Sequence, residues 1–158
     1  MNTVNANAVS HAPVGCTCFK LRSLTRRVTQ LYDQVLAPSG LTVTQYSLIA
    51  HARRRDDSRP PTVSELAREI FTDRTTLTRN LKPLAKAGLI RVGSGADARS
   101  KAVIVTAKGE GAYQAARPLW KAAQGLLRDR AGETHLAALH ALIDTVLPQL
   151  GEPNAAAD

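Results

Sequence analysis

The sequence contains few aromatic residues, few cysteines and no long hydrophobic run. Aromatic residues account for 4% of the 158 residues, so the core must consist mainly of aliphatic side chains, a composition that favours helices. No segment approaches the roughly 18 consecutive apolar residues that a membrane-spanning helix requires, so we expect no membrane partner. The N-terminus also lacks the basic flank and apolar segment of a signal peptide, and a cytoplasmic location is therefore expected.

The sequence also lacks the residue patterns on which most enzymes depend. It contains no glycine-rich phosphate-binding loop, no carboxylate pair in an apolar setting and no Ser-His-Asp arrangement that the predicted helices would bring together. A Cys-His pair can be drawn from Cys16 or Cys18 with His51, but this leaves the basic hairpin described below without a purpose. We therefore predict that the protein is not an enzyme and has no cofactor.

The positive charge is concentrated in the middle of the chain. The net charge is +8 overall, with +3 in residues 1–50, +6 in residues 51–101 and −1 in residues 102–158. A basic region in a compact chain indicates a polyanionic partner, most often nucleic acid, although a solvated basic surface explains the charge equally well. The order of the structural elements must decide between these two interpretations.

Amphipathic helices are predicted at both ends of the chain. Apolar residues at spacings of three and four form a narrow stripe in residues 16–36 and another after Gly132, and they are Leu21, Leu24, Val28, Leu31 and Val35, then Leu136, Leu139, Ile143, Val146 and Leu150. The stripes predict either pairing between subunits or packing within one subunit. Residues 1–14 and 151–158 show no such periodicity and are predicted to be disordered tails.

Two helices separated by a tight turn are predicted in the basic middle region. Thr62-Val63-Ser64-Glu65 has the form of a capping box at the start of a short helix. Asp73 can cap a longer helix that ends near Ala87, and Gly88 stands where a C-terminal cap belongs. The buried side of this longer helix is predicted to consist of Leu77, Leu81 and Leu84.

A β-hairpin is predicted after these two helices. The β-prone residues 89–92 and 102–105 flank a loop rich in glycine and charge, residues 93–100. Another helix is predicted before the motif, in residues 44–54, and Thr106 opens a long helix after it. A short helix, a tight turn, a longer helix and a hairpin form a winged helix-turn-helix. The predicted fold is thus mainly α with a small β-hairpin wing.

The winged helix-turn-helix predicts contacts with double-stranded DNA. The second helix of the motif fits the major groove, and the outer side of its N-terminal half carries Arg74, Thr75, Thr76 and Arg79. Lys82, one turn further on, is predicted to contact phosphate. Ser64, in the preceding helix, is also predicted to contact DNA. The hairpin offers Arg99 and Lys101 to the backbone or the minor groove. Each residue alone is equally well explained as a solvated surface residue, but together they indicate nucleic-acid binding.

Several segments resemble the MarR family of bacterial transcriptional regulators. They are Gly40-Leu41-Thr42-Val43-Thr44-Gln45-Tyr46, Val63-Ser64-Glu65-Leu66-Ala67, Arg74-Thr75-Thr76-Leu77-Thr78-Arg79-Asn80-Leu81, Gly88-Leu89-Ile90, Asp97-Ala98-Arg99-Ser100-Lys101 and Val105-Thr106-Ala107-Lys108-Gly109. The Asp-x-Arg wing followed by Thr-x-x-Gly is the most specific part. The similarity extends from about Cys16 to Leu150.

The resemblance implies an obligate homodimer that binds a palindromic operator. Residues 15–150 would form a single domain, with dimerisation helices in residues 15–37 and 107–150 and a DNA-binding lobe in residues 41–106. In the family, the arginine matching Arg99 enters the minor groove and the residue matching Asp97 holds the wing tip. Two-fold symmetry places the recognition helices about 34 Å apart, one turn of DNA, which requires an inverted-repeat operator.

The resemblance also implies a signal that releases the DNA, either a small aromatic ligand or the oxidation of a cysteine. Cys18-Phe19 followed by Tyr32 is similar to the organic-hydroperoxide-sensing branch, in which a thiol contacts a tyrosine of the partner subunit. Arg22 stands where that branch carries a second tyrosine, and Cys16 is an addition. His51 either lines an effector pocket or is a helix-surface residue.

Three interpretations of Cys16 and Cys18 remain open from the sequence, which does not predict a structural disulfide between them. They are passive residues of a pocket or an interface, redox sensors made reactive by Lys20 and Arg22, or ligands of a soft metal with His11 as the only third ligand nearby. No metal site is assigned. The sequence thus predicts a homodimeric DNA-binding repressor released by an aromatic ligand or by oxidation. The alternative is a heteromeric protein-interaction module without sequence-specific DNA binding.

Overall fold

The computed structural model describes residues 15–53, 59–95 and 100–151. The elements follow in the order α1 (Thr17–Leu36), α2 (Val43–Arg53), α3 (Val63–Glu69), α4 (Arg74–Lys86), β1 (Ile90–Ser94), β2 (Lys101–Val105), α5 (Ala107–Ala131) and α6 (Glu133–Val146). Short 3₁₀ turns follow α1 and α6, at Ala37–Ser39 and Leu147–Leu150. This is the predicted fold, mainly helical with an antiparallel hairpin that completes a winged helix-turn-helix.

Several sequence predictions lie outside the described residues. They concern the two disordered tails apart from Gly151, the proposed metal ligand His11, and the wing residues Asp97 and Arg99. Of the helices in the described ranges, none combines the length and apolar character needed to cross a membrane.

Local capping signals fix the helix-turn-helix as predicted. The backbone N–H of Glu65 donates to the Thr62 hydroxyl at 3.2 Å, and the Glu65 carboxylate accepts from the Thr62 backbone N–H at 2.8 Å. These two bonds complete the capping box of α3. Asp73 caps α4 by accepting from the Thr76 backbone N–H at 2.8 Å. The turn between the helices passes through Phe71, whose φ of 53° lies in the left-handed region that usually favours glycine.

The core is aliphatic and lies where the helix-turn-helix meets α1, α2 and α5. Its largest fully buried side chains are Leu36, Ile49, Leu66, Leu77, Leu84 and Val103. Helix α5 packs along both α1 and α2, so it connects the N-terminal helix to the segment that contains the helix-turn-helix and the wing, and we call it the spine.

The wing is longer than predicted and is attached to the start of α3. Gly93 pairs with Ala102 and Ser94 pairs with Lys101. Gly93 and Ser94, which were predicted to belong to the loop, are therefore part of β1. Their backbone hydrogen bonds decide the matter, because glycine lowers strand propensity without removing a donor or an acceptor. The backbone N–H of Val103 donates to the Pro61 carbonyl at 2.8 Å, which ties β2 to the α3 N-terminus.

Candidate nucleic-acid interface

One face of α4 is polar, basic and exposed. Thr75, Thr78, Arg79 and Lys82 follow one another at the i, i+3, i+4 and i+7 positions of a single helical stripe. Together with Arg74 they line an open depression of about 520 Å³. The stripe contains three cationic side chains when Arg74 is included, and the hydroxyls of two threonines stand between them. This face can donate hydrogen bonds to the acceptors of a polyanion along two turns of helix.

The opposite face of α4 determines which side chains point outward. Leu77, Leu81 and Leu84 are 0%, 3% and 1% exposed, as predicted, and they fix the rotation of the helix about its axis. Thr76 was predicted on the outer side, but it is half-buried because its position lies beside Leu77 at the edge of the apolar face. The Thr76 hydroxyl and backbone amide hold the pKa of the capping carboxyl of Asp73 below its usual value.

Thr78 belongs to the exposed stripe and was missed by the sequence analysis. Its hydroxyl donates to the Arg74 carbonyl at 2.7 Å, one turn back along the helix, and its methyl group is left on the surface. The spacing of Thr78 from Thr75 and Lys82 is the signal that identifies it, since three and four residues bring side chains to the same helix face.

A second cleft joins α4 to the wing. Its apolar floor and basic rim enclose about 250 Å³ and consist of Val63, Leu81, Ala85 and Val92 with Arg74, Thr78, Lys82 and Lys101. The fold therefore brings Lys101 to the same surface as Arg74 and Lys82. None of the described residues that line either depression is acidic. Ser64 is exposed on α3, whereas Asp97 and Arg99 lie outside the described residues.

The start of the helix-turn-helix is stabilised by an ion pair. Arg59 donates to both carboxylate oxygens of Glu65, at 2.9 and 2.6 Å. This pair, with the capping bond from Thr62, lowers the pKa of Glu65 to about 2. Glu65 therefore stays ionised at the N-terminus of α3, where a negative charge is favoured by the helix dipole.

The predicted effector and redox residues are spread over two helices. Cys16 is half-buried and Cys18 is exposed at the start of α1, where Arg22 is also exposed. Tyr32 is buried in the core and lies 14 residues further along the same helix, about 21 Å at the rise of an α-helix. The fold of one subunit therefore does not bring Cys18 and Tyr32 together. Burial raises the pKa of Tyr32.

His51 makes a local contact within α2. Its Nδ1 lies 2.8 Å from the carbonyl oxygen of Ser47, one turn earlier, and the ring is half-buried. Among the described residues, no group of three His, Cys, Asp or Glu side chains is placed to hold a metal ion.

Half of the aromatic residues of the chain form one stack between α2 and α5. The Tyr46 ring stacks on Tyr113 at 5.0 Å between centroids and on Trp120 at 5.7 Å. The guanidinium of Arg53 lies over the Tyr113 ring, with its central carbon 4.1 Å from the ring centre. Tyr113 and Trp120 thus pack against the core. Burial, together with its contact to Tyr113, raises the pKa of Tyr46.

The two terminal helices expose large apolar side chains. Leu21 and Leu24 in the first half of α1 are 49% and 43% exposed. Helix α6 buries none of its residues, and its exposed side chains, with the turn that follows, include Leu142, Ile143, Val146 and Leu150. The predicted stripes are thus only partly covered within one subunit.

Comparison with known proteins agrees with this geometry. A model of the MarR family matches residues 39–100, from the 3₁₀ turn after α1 to the residue before β2. The transcriptional regulator MosR of M. tuberculosis, solved in complex with DNA, is 39% identical, with a TM-score of 0.74 over 86% of this chain and 98% of that one. The chain belongs to the MarR family. This MarR-family chain is therefore a DNA-binding transcription regulator and not an enzyme.

More distant structures share the fold. A mutant of MarR from E. coli in complex with operator DNA is 22% identical, with a TM-score of 0.72 over 83% of this chain and 93% of that one. CouR from Rhodococcus jostii, bound to p-coumaroyl-CoA, is 20% identical, with a TM-score of 0.68 over 87% and 95% of the two chains. Comparison with curated proteins finds no match.

Proposed function

We propose that this chain is a repressor that binds an inverted-repeat operator as a homodimer, with α4 in the major groove and the wing beside it. The observation that supports this most directly is the exposed stripe of α4, which unites Arg74, Arg79 and Lys82 on a face lined by no described acidic residue. A short helix before α4 and a hairpin after it are the flanks that a major-groove helix needs.

The contacts divide by position along α4 and the wing. Arg74, Thr75 and Arg79, near the N-terminal end of α4, are proposed to reach base edges, where arginine pairs with guanine. Lys82, Ser64 and Lys101 are proposed to contact phosphates. From the family pattern, Arg99 enters the minor groove and Asp97 holds the wing tip.

The homodimer is supported by the exposed apolar side chains of α1 and α6. Leu21 and Leu24 project from one terminal helix, and Val146 and Leu150 from the other end of the chain. Large apolar side chains left exposed on a helix mark a surface at which a partner binds. A second copy supplies both stripes at once, and a two-fold axis then generates two recognition helices for the two halves of a palindrome.

The DNA contacts can be tested by removing single charges. An operator is first selected from random duplexes with the wild-type protein, and affinity is then measured by fluorescence anisotropy at several salt concentrations. Arg79→Ala is expected to lose about 1–3 kcal/mol of binding and to relax the preference at particular bases. Arg99→Ala is expected to weaken binding to every operator variant and to reduce the salt dependence.

Lys121→Ala is the matched control, since it removes one exposed charge from α5, away from the recognition face. Equal losses for Arg79→Ala and Arg99→Ala on all sequences would refute this division of roles. A wild-type protein without salt-dependent DNA affinity would favour the heteromeric protein-interaction module, which uses the same apolar helices for a different partner.

The releasing signal is proposed to be a small aromatic ligand or the oxidation of a cysteine. The ligand route is supported by the shared fold of CouR with its bound p-coumaroyl-CoA. The oxidation route is supported by the accessibility of Cys16 and Cys18 at the start of α1, near the basic residues Lys20 and Arg22. An organic hydroperoxide would convert a thiol to a sulfenic acid while being reduced to the alcohol.

The two routes are separated by binding assays on the DNA upstream of the chain's own coding region. Binding is measured in reducing buffer and again after brief treatment with cumene hydroperoxide. Oxidation predicts loss of binding that thiol reverses and that Cys16→Ser or Cys18→Ser prevents. Binding that survives the hydroperoxide in the wild-type protein excludes this route, and small aromatic acids are then the compounds to titrate.

A further inference from the structure

We propose that the ion pair between Arg53 and Glu110 is a positioning contact that sets the operator spacing this protein prefers. The inference rests on the proposed function, because spacing has a meaning only for a two-fold dimer on an inverted repeat. Arg53 is the last residue of α2, in the DNA-binding lobe, and Glu110 is in the first turn of α5, the spine. The pair therefore joins the part that meets DNA to the part that carries the dimer helices.

The lobe is first attached to α5 at the point where the chain passes from the wing into α5. The Thr106 hydroxyl donates to the Gly88 carbonyl at 2.7 Å and accepts from the Gly109 backbone N–H at 3.0 Å. Lys108 donates to the Ala87 carbonyl at 2.8 Å, at the C-terminal end of α4. These bonds hold the end of the recognition helix against the start of α5. A single attachment of this kind still permits the lobe to rotate about it.

Helix α2 supplies two further attachments, one at each end. At its start, the backbone N–H of Val43 donates to the Asp33 carboxylate of α1 at 2.7 Å. At its end, Arg53 donates to both oxygens of the Glu110 carboxylate, with Nε 2.7 Å from Oε2 and Nη2 2.6 Å from Oε1. Helix α2 is thus held between the two helices that lead to the dimer contact.

The two-pronged geometry distinguishes this ion pair from the neighbouring aromatic stack. Ring pairs are favourable over a range of centroid distances and offsets, so the contacts of Tyr46 with Tyr113 and Trp120 restrict the position of α2 on α5 less tightly than a directional bond would. A guanidinium that donates two parallel hydrogen bonds to a carboxylate permits much less lateral movement, because both bonds weaken together when either group moves.

Glu110 is itself held in place. Gln114 donates to its Oε1 at 2.8 Å, and the Arg53 guanidinium lies over the Tyr113 ring. The hydrogen bonds from Arg53 and Gln114 hold the pKa of Glu110 below its usual range. The carboxylate is therefore ionised and oriented throughout the neutral pH range.

In a two-fold dimer, the position of the lobe on α5 determines the distance between the two recognition helices. Any rotation of one lobe is repeated in the other, so the distance between them changes by twice the displacement of each. Adjacent base pairs are about 3.4 Å apart along the DNA axis. A spacer that differs by one base pair therefore requires a displacement of roughly half that distance in each lobe, together with a rotation of roughly 18° in each lobe about the DNA axis.

The test uses DNA duplexes that carry the selected half-sites with the optimal spacer or with one base pair more or less. Arg53→Lys keeps the charge without the fork, and Glu110→Gln keeps the shape without the charge. For both variants we expect binding at the optimal spacer to fall about threefold, as for a partly exposed ion pair, with less change at the other two lengths. The exchange variant, Arg53→Glu with Glu110→Arg, is expected to restore part of the wild-type preference.

Glu133→Gln is the matched control, since the Arg128–Glu133 ion pair lies at the α5–α6 junction and does not touch the lobe. It should leave the spacer preference unchanged. Loss of thermal stability with an unaltered ratio between spacers would mean that Arg53 and Glu110 are merely structural, and would overturn this inference alone. Failure of the wild-type protein to bind any inverted repeat would overturn the proposed function and this inference with it.

Discussion

Helices α4 and α6 are both amphipathic, yet the structure covers only one of them. The apolar stripe of α4 is almost completely buried, with Leu77 at 0% exposure, and its polar face remains on the surface. Helix α6 has no buried residue, and Leu142 is 64% exposed. The apolar side chains of α4 therefore pack within the subunit, whereas those of α6 remain exposed.

The difference shows that the same periodic pattern serves two purposes in one chain. Where the stripe is covered, as in α4, its burial fixes which polar side chains face outward and so creates the exposed basic stripe. Where the stripe is uncovered, as in α6, the apolar side chains are themselves the surface that a partner would recognise. Substitutions in the two helices should therefore respond differently to protein concentration.

The largest effect is expected for Leu77→Ala. This substitution removes a fully buried side chain from the core and is expected to lower the free energy of unfolding by about 2–5 kcal/mol. Chemical denaturation should show the loss at every protein concentration. The control is Leu142→Ala on α6, whose effect should depend on protein concentration. A concentration-independent loss of the same size for both would remove the distinction between the two helices.

A charge on the uncovered stripe is expected to have the next largest effect. Val146→Asp is expected to weaken dimer association by about 2 kcal/mol or more, since an unpaired carboxylate would be buried against the partner. Sedimentation equilibrium measures this change. Ala137→Asp places the same charge on the opposite side of α6, nine residues away, and is expected to leave association unchanged. Unaltered association of Val146→Asp would exclude this stripe from the dimer interface.

The junction between α4 and α5 predicts an effect of unusual sign. Alanine normally stabilises a helix over glycine by about 1 kcal/mol, but a Cβ at Gly109 would overlap the Leu89 carbonyl oxygen and lie 3.0 Å from Val105 Cγ1. We expect Gly109→Ala to destabilise the protein by about 1–3 kcal/mol in denaturant. Gly111→Ala on the same helix meets nothing within 4 Å and should stabilise it. Stabilisation by both substitutions would contradict the tight contact at Leu89.

The parts of the fold that depend on local chemistry were predictable from the sequence. The capping box of Thr62 and Glu65, the Asp73 cap and the buried leucines of α4 all involve residues within a few positions of one another. Their hydrogen bonds and helical spacing do not require knowledge of the rest of the chain. The exposed stripe of α4 follows from the same spacing, which also places Thr78 between Thr75 and Lys82 on that stripe.

The contacts between distant segments were not predictable. Arg53 and Glu110 are 57 residues apart, and Asp33 meets the start of α2 from another helix. Charged residues are common on helix surfaces, so nothing in the sequence distinguishes these three from their neighbours. Only the packing of α2 against α1 and α5 determines which charges meet. The stripe of α6 was visible in the sequence, but its spacing could not tell whether the same subunit covers it.

The smallest predicted effect concerns the stability of the fold at low pH and the Glu65 carboxylate of α3, the helix that precedes α4. The pKa of Glu65 is about 2 in the folded protein because Arg59 and Thr62 bind its ionised form, against 4.5 as the ordinary value. A carboxyl with a lowered pKa stabilises the fold fully above its unfolded value. That contribution is lost as the pH falls from about 4.5 towards 2.

Glu65→Gln removes the ion pair but keeps an oxygen that can accept from the Thr62 backbone N–H, so the capping box survives. Since the Glu65 side chain is 38% exposed, we expect the variant to lose at most about 1 kcal/mol of stability at pH 7. The difference from wild type should shrink towards pH 2 when unfolding is followed by circular dichroism. Glu133→Gln removes the charge from the more exposed ion pair with Arg128 and should lower the free energy of unfolding by less. A difference that stays constant across this range would show that the charge of Glu65 does not stabilise α3, and that its uncharged capping bond accounts for the support given to α4.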